Sequence, residues 1–260
     1  TTADGDDRLS INLGNVAGIA DAAGNALLVA YADGESYVID RTAPQITARE
    51  TVDRNANGYI DAILLRLNDD VNDATIVTAQ FSIQGGVQVE ANALTGENAN
   101  DGVVLIPFTD GDILTDGAPG VFCNPGALAD LAGNSLAGDV FPIDSMDRVG
   151  PVILSAVADD GAIEVDGIDS DDTVRITFSE AIDEPRPVID KTNAVITVAL
   201  SGSHKWWDGE FVVTTRWDDA RTLVFELSTT SGIPSVAVGD TITLDAGTFP
   251  DVLGNLASDQ

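Results

Sequence analysis

The sequence predicts an all-β protein built of tandem sandwiches, on three observations. Apolar and polar residues alternate over short runs, whole phrases of sequence recur at a spacing of about 110 residues, and no long stretch carries a helical period. Alternation comes first, because a period of two buries one face of a strand. Val174, Ile176 and Phe178 alternate with Arg175 and Thr177, and Ile63, Leu65 and Leu67 hold the same places in an earlier copy. Further strands are expected at Gln88–Glu90, Val103–Phe108, Ala194–Leu200, Phe211–Thr215, Thr222–Leu227 and Thr241–Leu244. Turn formers separate them, among them Gly85-Gly86, Asp208-Gly209 and Trp217–Ala220. About seven short strands per repeat make tandem immunoglobulin-like β-sandwich domains the expected architecture. Asn124–Ala129 is expected to add a helical turn.

The repeats fix the register of the modules. Asp-x-x-Gly-Asn occurs at Asp21–Asn25, Asp130–Asn134 and Asp251–Asn255, at separations of 109 and 121 residues. Asp40-Arg-Thr-Ala-Pro44 recurs as Asp147-Arg-Val-Gly-Pro151, offset by 107. Leu65–Asn72 lines up with Ile176–Asp183 at an offset of 111. Residues 44–150 and 151–260 are therefore expected to be one sandwich each. Residues 1–43 hold only the C-terminal part of a preceding module, with strands at Leu9–Leu13 and Ser36–Ile39. The third unit stops short of a counterpart to Val140–Ile143, so it is expected to lack its last strand, and the whole reads as a window onto a longer chain. A hairpin such as that in 1–43 is marginal alone and an unpaired edge recruits a strand. Either that tail packs on a neighbour in the same chain, or further domains of a longer parent or another copy complete it. In the last case Ser36–Ile39 would be donated head to tail.

Composition narrows the function. The 260 residues are 44% apolar, enough for two cores, and no run approaches the roughly 20 apolar residues of a membrane span. One cysteine, Cys123, excludes a disulfide framework within the chain and suits a small buried hydrophobe. Acidic residues outnumber basic ones 43 to 12, a formal charge of −31, and Lys191 and Lys205 are the lysines. Phosphate binding needs basic patches, so nucleic acid is excluded as a partner. Self-repulsion on this scale calls for screening or bound cations, supplied by high salt or by millimolar divalent ions outside cells.

Candidate ligands follow from the acids. Asp53-Arg-Asn-Ala-Asn-Gly-Tyr-Ile-Asp61 sets oxygen-bearing side chains at loop positions 1, 3, 5 and 9 around Gly58. Asp53, Asn55, Asn57 and Asp61, with the carbonyl of Tyr59, match the first three-quarters of a calcium loop, since hard Ca²⁺ takes six to eight oxygens. Position 12 is Leu64 where an EF-hand has Glu, so the remaining ligand must come from elsewhere. The same residues also suit a turn shaped by Asp and Asn side chains. In the next repeat Asp166, Asp169, Asp171 and Asp172 crowd the equivalent loop and invite a cation, with Asp172 aligned to Asp61. Asp21, Asp130 and Asp251 read as turn formers that accept backbone N–H bonds. Trp206 and Trp207 are a candidate glycan or interface patch, although alternation requires at least one of them to face the core. With a single histidine and no HExxH, nucleophile elbow or phosphate loop, no enzymatic motif is found.

Together, Asp-Arg-x-x-Pro at repeat starts, Ile176–Asp183, Trp217-Asp-Asp-Ala-Arg-Thr-Leu-Val-Phe225 and Asp-x-x-Gly-Asn resemble the bacterial and archaeal Ig-like repeats of surface-layer proteins and large adhesins. The resemblance covers 44–260 and, partially, 1–43. It implies a secreted, cell-surface structural role without catalysis, and calcium. Asp53–Asp61 is similar over nine residues to the calcium loops of dockerins and thrombospondin type 3 repeats. The alternatives are an accessory region of a secreted hydrolase and a carbohydrate-binding module that uses surface glycans.

Overall fold

The computed structural model describes residues 7–90, 94–95, 98–162, 167–189, 197–206, 214–227 and 234–257. Its regular structure is nearly all strand. β1 (Asp7–Ser10) and β2 (Ser36–Ile39) form an antiparallel pair, Leu9 opposite Tyr37. The next seven strands are β3 (Ile46–Val52), β4 (Ala62–Leu67), β5 (Phe81–Ile83), β6 (Leu94–Thr95), β7 (Val103–Pro107), β8 (Gly120–Cys123) and β9 (Ile143–Asp144). They make two antiparallel sheets, in the orders β3-β4-β7-β6 and β5-β8-β9. Then come β10 (Ile153–Asp159), β11 (Thr173–Phe178), β12 (Val198–Leu200), β13 (Thr214–Trp217), β14 (Thr222–Glu226) and β15 (Ile242–Leu244). They repeat the plan as β10-β11-β14-β13 and β12-β15. The match extends to irregularity. A register shift between Ile46 and Ala48 in β3 recurs between Ile153 and Ser155 in β10.

In each repeat the two sheets close over one core. Leu65 and Val104 from the larger sheet meet Phe81 and Val121 from the smaller, around fully buried Phe108. The second cluster joins Ile176 and Leu223 to Val198 and Leu244, around Phe178 and Phe225. The two clusters share no residue. Aromatic contacts organise the second: Phe178 lies 5.8 Å from the Trp217 ring and 5.4 Å from that of Phe249. Cys123 is fully buried, and burial pushes its thiol up to about 12.

Several local expectations differ from the structure. Gln88–Glu90 gives only an isolated bridge, Val89 to Phe108, and the strand expected at Leu9–Leu13 is Asp7–Ser10; residues 194–196 and 211–213 of two expected strands lie outside the described residues. Asn124–Ala129 is a turn without helix, because Gly126 sits at φ +76°, a left-handed conformation that ends any helical path. The strand expected at Val140–Ile143 starts only at Ile143, after Pro142, whose ring nitrogen cannot donate to a ladder. It then runs on through Met146, which bridges in parallel to Glu50 of β3. Met146 N–H donates to the Arg49 carbonyl, and Thr51 N–H donates to that of Met146.

Replacing Phe178 by Ala deletes a fully buried ring between two aromatic neighbours, so chemical denaturation should register a loss of about 3–5 kcal/mol. A loss below about 1 kcal/mol would contradict the packing described.

Candidate metal centre

The three recurrent phrases do more than mark turns. In each Asp-x-x-Gly-Asn copy the Asp carboxylate bridges back to the Asn. Asp130 Oδ1 accepts from the Asn134 backbone N–H at 2.7 Å, and Oδ2 accepts from its side-chain amide at 2.8 Å. Asp251 binds Asn255 in the same way, with both distances 2.8 Å, and Asp21 binds Asn25 at 2.9 and 2.8 Å. The Gly lies at φ +92°, +92° and +86° at Gly24, Gly133 and Gly254, a conformation open to residues without Cβ. These Asp residues are therefore the turn formers that the sequence suggests.

Two of them have a second relationship. Ile182 bridges to Asp251 as Val71 does to Asp130, and this brings each turn against the segment just beyond β11 or β4. Carboxylate oxygens of Asp147, Glu180 and Asp251 consequently lie within 4.8 Å of one another, and those of Asp40, Asp69 and Asp130 do the same. Each triad takes one acid from each phrase: the linker Asp, the acid two residues beyond the β11 or β4 core position, and the turn Asp. Asp147, Glu180 and Asp251 are 9%, 2% and 1% exposed.

Donors satisfy only part of this charge. Asp251 Oδ1 accepts from Leu253 N–H, and Asp147 Oδ1 accepts from Val149 N–H and from the Thr51 hydroxyl. Glu180 Oε1 is buried with no hydrogen-bond partner among the described residues. Burial raises the Glu180 carboxyl from 4.5 to about 8; a hydrogen bond with Thr115 opposes it, and the charges of Asp147 and Asp251 add to the rise. Asp147 is raised as well, chiefly by burial. The site sits where the repeats touch. Thr115 Oγ1 donates to Ser179 Oγ at 2.6 Å, Ser179 Oγ accepts from Val152 N–H at 3.0 Å, and Arg221 pairs with Asp116. Buried carboxylates of one sign with an unfilled acceptor form an oxygen-rich pocket suited to a hard cation.

The acids singled out by sequence fall elsewhere. Asp53 caps its own loop, with Oδ2 accepting from Gly58 N–H at 2.8 Å, and Asn55 and Asn57 turn their amides onto Asp110 Oδ2 at 3.0 and 2.7 Å. Tyr59 N–H donates to Asn57 Oδ1. Asp61 is 3% exposed and engaged by Arg54, through its N–H at 2.9 Å and its Nε at 3.1 Å. In the next repeat Asp160 joins Asp169 and Asp172 in a third triad. Asp172 Oδ1 has no hydrogen-bond partner among the described residues, and Asp171 accepts from Ala162 N–H. The neighbouring carboxyl of Asp171 raises Asp169. Asp166 lies outside the described residues, as does Trp207. Trp206 is the core-facing member of its pair. It is 3% exposed, stacked on Phe225 at 4.0 Å, and its indole N–H donates to the Val198 carbonyl. Of the junction acids, Asp130 and Asp251 read from sequence mainly as turn formers, and Asp40, Asp69, Asp147 and Glu180 are not singled out there, although a signal is present, since an acid stands at the same place of each phrase in both copies.

A carboxyl with a raised folded pKa holds its proton more tightly folded than unfolded. Its stabilisation is complete below the ordinary value of 4.5 and is lost as pH rises through about 8. In chelator, melting temperature should fall across that window, and Glu180→Gln should flatten the fall. An unchanged slope in the variant would show that Glu180 is not the titrating group.

The sequence matches no protein-family model and no curated protein. Among solved structures, the chain is similar to the N-terminal part of the bacterial S-layer protein SbsC, at a TM-score of 0.32 and 14% identity. The likeness covers 77% of this chain and 43% of that one, so this chain spans less than half of the structure it resembles.

Proposed function

We propose that this chain is a non-catalytic, extracellular structural protein, a stretch of tandem Ig-like sandwiches at 44–150 and 151–260 braced at their junctions by calcium. The observation that carries the reading is the convergence of Asp147, Glu180 and Asp251, one from each repeated phrase, with Glu180 Oε1 buried and unpartnered. A linker Asp that shares a cation with two acids of the following sandwich ties the two together, which is a load-transmitting role and not a catalytic one. The formal charge of −31 favours an environment rich in cations. Oxygen-only ligands favour Ca²⁺ over softer metals. The loop at Asp53–Asp61 and the triad of Asp160, Asp169 and Asp172 are secondary calcium candidates. A carbohydrate-binding role finds less support, because Trp206 is interior.

Millimolar Ca²⁺ should raise the melting temperature by mass action on the folded state; at a hundredfold excess over Kd the gain is about 2.7 kcal/mol. Glu180→Gln or Asp147→Asn should remove most of the gain, and Asp53→Ala isolates the contribution of the loop. Calorimetry with equal melting in calcium and in chelator, at matched ionic strength, would leave charge screening as the better account.

A further inference from the structure

The loop that closes the β10–β11 hairpin has a counterpart in the first repeat. Asp160 follows β10 as Asp53 follows β3, and Asp172 precedes β11 as Asp61 precedes β4. Both closing acids are interior, Asp61 at 3% exposure and Asp172 at 7%. A carboxylate taken out of water needs a positive partner or a set of donors, and the two repeats meet that need differently. In the first, Arg54 supplies both, with its backbone N–H on Asp61 Oδ1 and its Nε on Oδ2. In the second, Asp169 N–H donates to Asp172 Oδ2 at 2.8 Å, which reproduces the backbone half of that arrangement. Among the described residues nothing reproduces the guanidinium. Asp172 Oδ1 is buried without a hydrogen-bond partner among them, and no ion pair among them reaches Asp169 or Asp172.

In place of a guanidinium the loop gathers more carboxylate. Oxygens of Asp160, Asp169 and Asp172 lie within 4.8 Å of one another. Asp169 Oδ2, like Asp172 Oδ1, is buried and accepts no hydrogen bond from the described residues. The loop backbone holds the acids this close. Asp171 Oδ2 accepts from Ala162 N–H at 2.7 Å, which folds the loop across its own base. Gly161 permits that approach, since it lies at φ +46° and a Cβ there would come within 2.5 Å of the same oxygen. Asp171 N–H donates in turn to Asp169 Oδ1 at 3.1 Å. Asp171 therefore closes the loop, and the oxygens that converge are those of Asp160, Asp169 and Asp172. Like charges so placed repel, and hydrogen bonds from backbone N–H groups carry no net positive charge to offset them.

We infer that the β10–β11 loop is a second calcium site, in which an ion held by Asp160, Asp169 and Asp172 stands where the first repeat has the Arg54 guanidinium. This deepens the calcium reading, on which it rests for the identity of the ion but not for its place, because the length of β11 separates the loop from Glu180 at the junction. Three carboxylates supply part of the six to eight oxygens that Ca²⁺ takes, so water fills the remaining positions and the ion exchanges with solvent past the exposed Asp160. One repeat thus neutralises its buried loop acid with a side chain of its own, and the other does so with an ion from solution.

Calorimetric titration of the full chain with calcium chloride, at constant ionic strength, separates this site from the junction. Asp160→Asn alters an exposed side chain and leaves the core alone, and it should weaken one class of calcium binding by at least about tenfold. Asp172→Asn keeps an acceptor for Asp169 N–H and should abolish the same class, whereas Glu180→Gln should leave it untouched. Calcium should also slow hydrogen exchange at the Ala162 and Asp169 amides in the unsubstituted chain and in Glu180→Gln, but not in Asp172→Asn. Calcium binding unchanged in both Asp160→Asn and Asp172→Asn would overturn the inference, and a loss confined to Glu180→Gln would leave the junction reading standing. Loss in the two loop variants with none in Glu180→Gln would do the reverse. Equal slowing of exchange by sodium chloride at matched ionic strength would overturn it as well, with charge screening as the better account.

Discussion

Three carboxylates gathered within 4.8 Å in a buried junction repel one another, and the way the repeats meet depends on how that repulsion is relieved. Two like charges 4 Å apart interact with about 4 kcal/mol at an effective dielectric of 20, far more than an exposed ion pair returns. Hydrogen bonds to Asp147 and Asp251 offset part of this, but Glu180 Oε1 receives none from the described residues. The remaining charge has to be met by a proton, which the raised Glu180 pKa expresses, or by a cation. In either case the linker is held to the following sandwich through groups whose state depends on the solution. The neutral contacts around the triad, such as Thr115 with Ser179, locate the acids without supplying charge.

The second organising constraint is the edge. β3 and β10 have equivalent registers, bulges and partner strands, yet Arg49 and Thr51 are covered whereas Ala156 and Ala158 are exposed. Local sequence does not explain that difference; the presence of Ile143–Met146 does. Ile143–Met146 pairs with both sheets of the first repeat and so covers that edge.

Arginine takes up much of the cationic work that the scarcity of lysine leaves. Arg54 holds Asp61, Arg66 and Arg148 reach Glu50, Arg175 and Arg216 converge on Asp218, and Arg221 crosses from the second repeat to Asp116 of the first. Most of these pairs are partly exposed and contribute little singly. Their effect is to place positive charge at particular points of an acidic surface, one of them beside the junction.

The sequence by itself determined the all-β sandwich architecture, the strands that carry its cores and the turns that end in Gly-Asn, because these follow from side-chain period and from backbone preferences that act within a few residues. Phe178 as a core position and Cys123 as a buried hydrophobe were legible for the same reason. The Asp53–Asp61 loop was legible as a composition of oxygens but not as a geometry, since which acceptors point at a common centre and which are held by Arg54 depends on packing around the loop. The grouping of Asp147, Glu180 and Asp251 was decided by tertiary structure. Those acids are separated by 33 and 71 residues and meet only once β11, the linker and the last turn have docked. The covering of β3 was likewise decided by tertiary structure, because Ile143–Met146 lies far away in sequence and pairs with both sheets at once. Local periodicity encodes which residues face inward; only the folded arrangement decides which inward charges and which edges must share the same space.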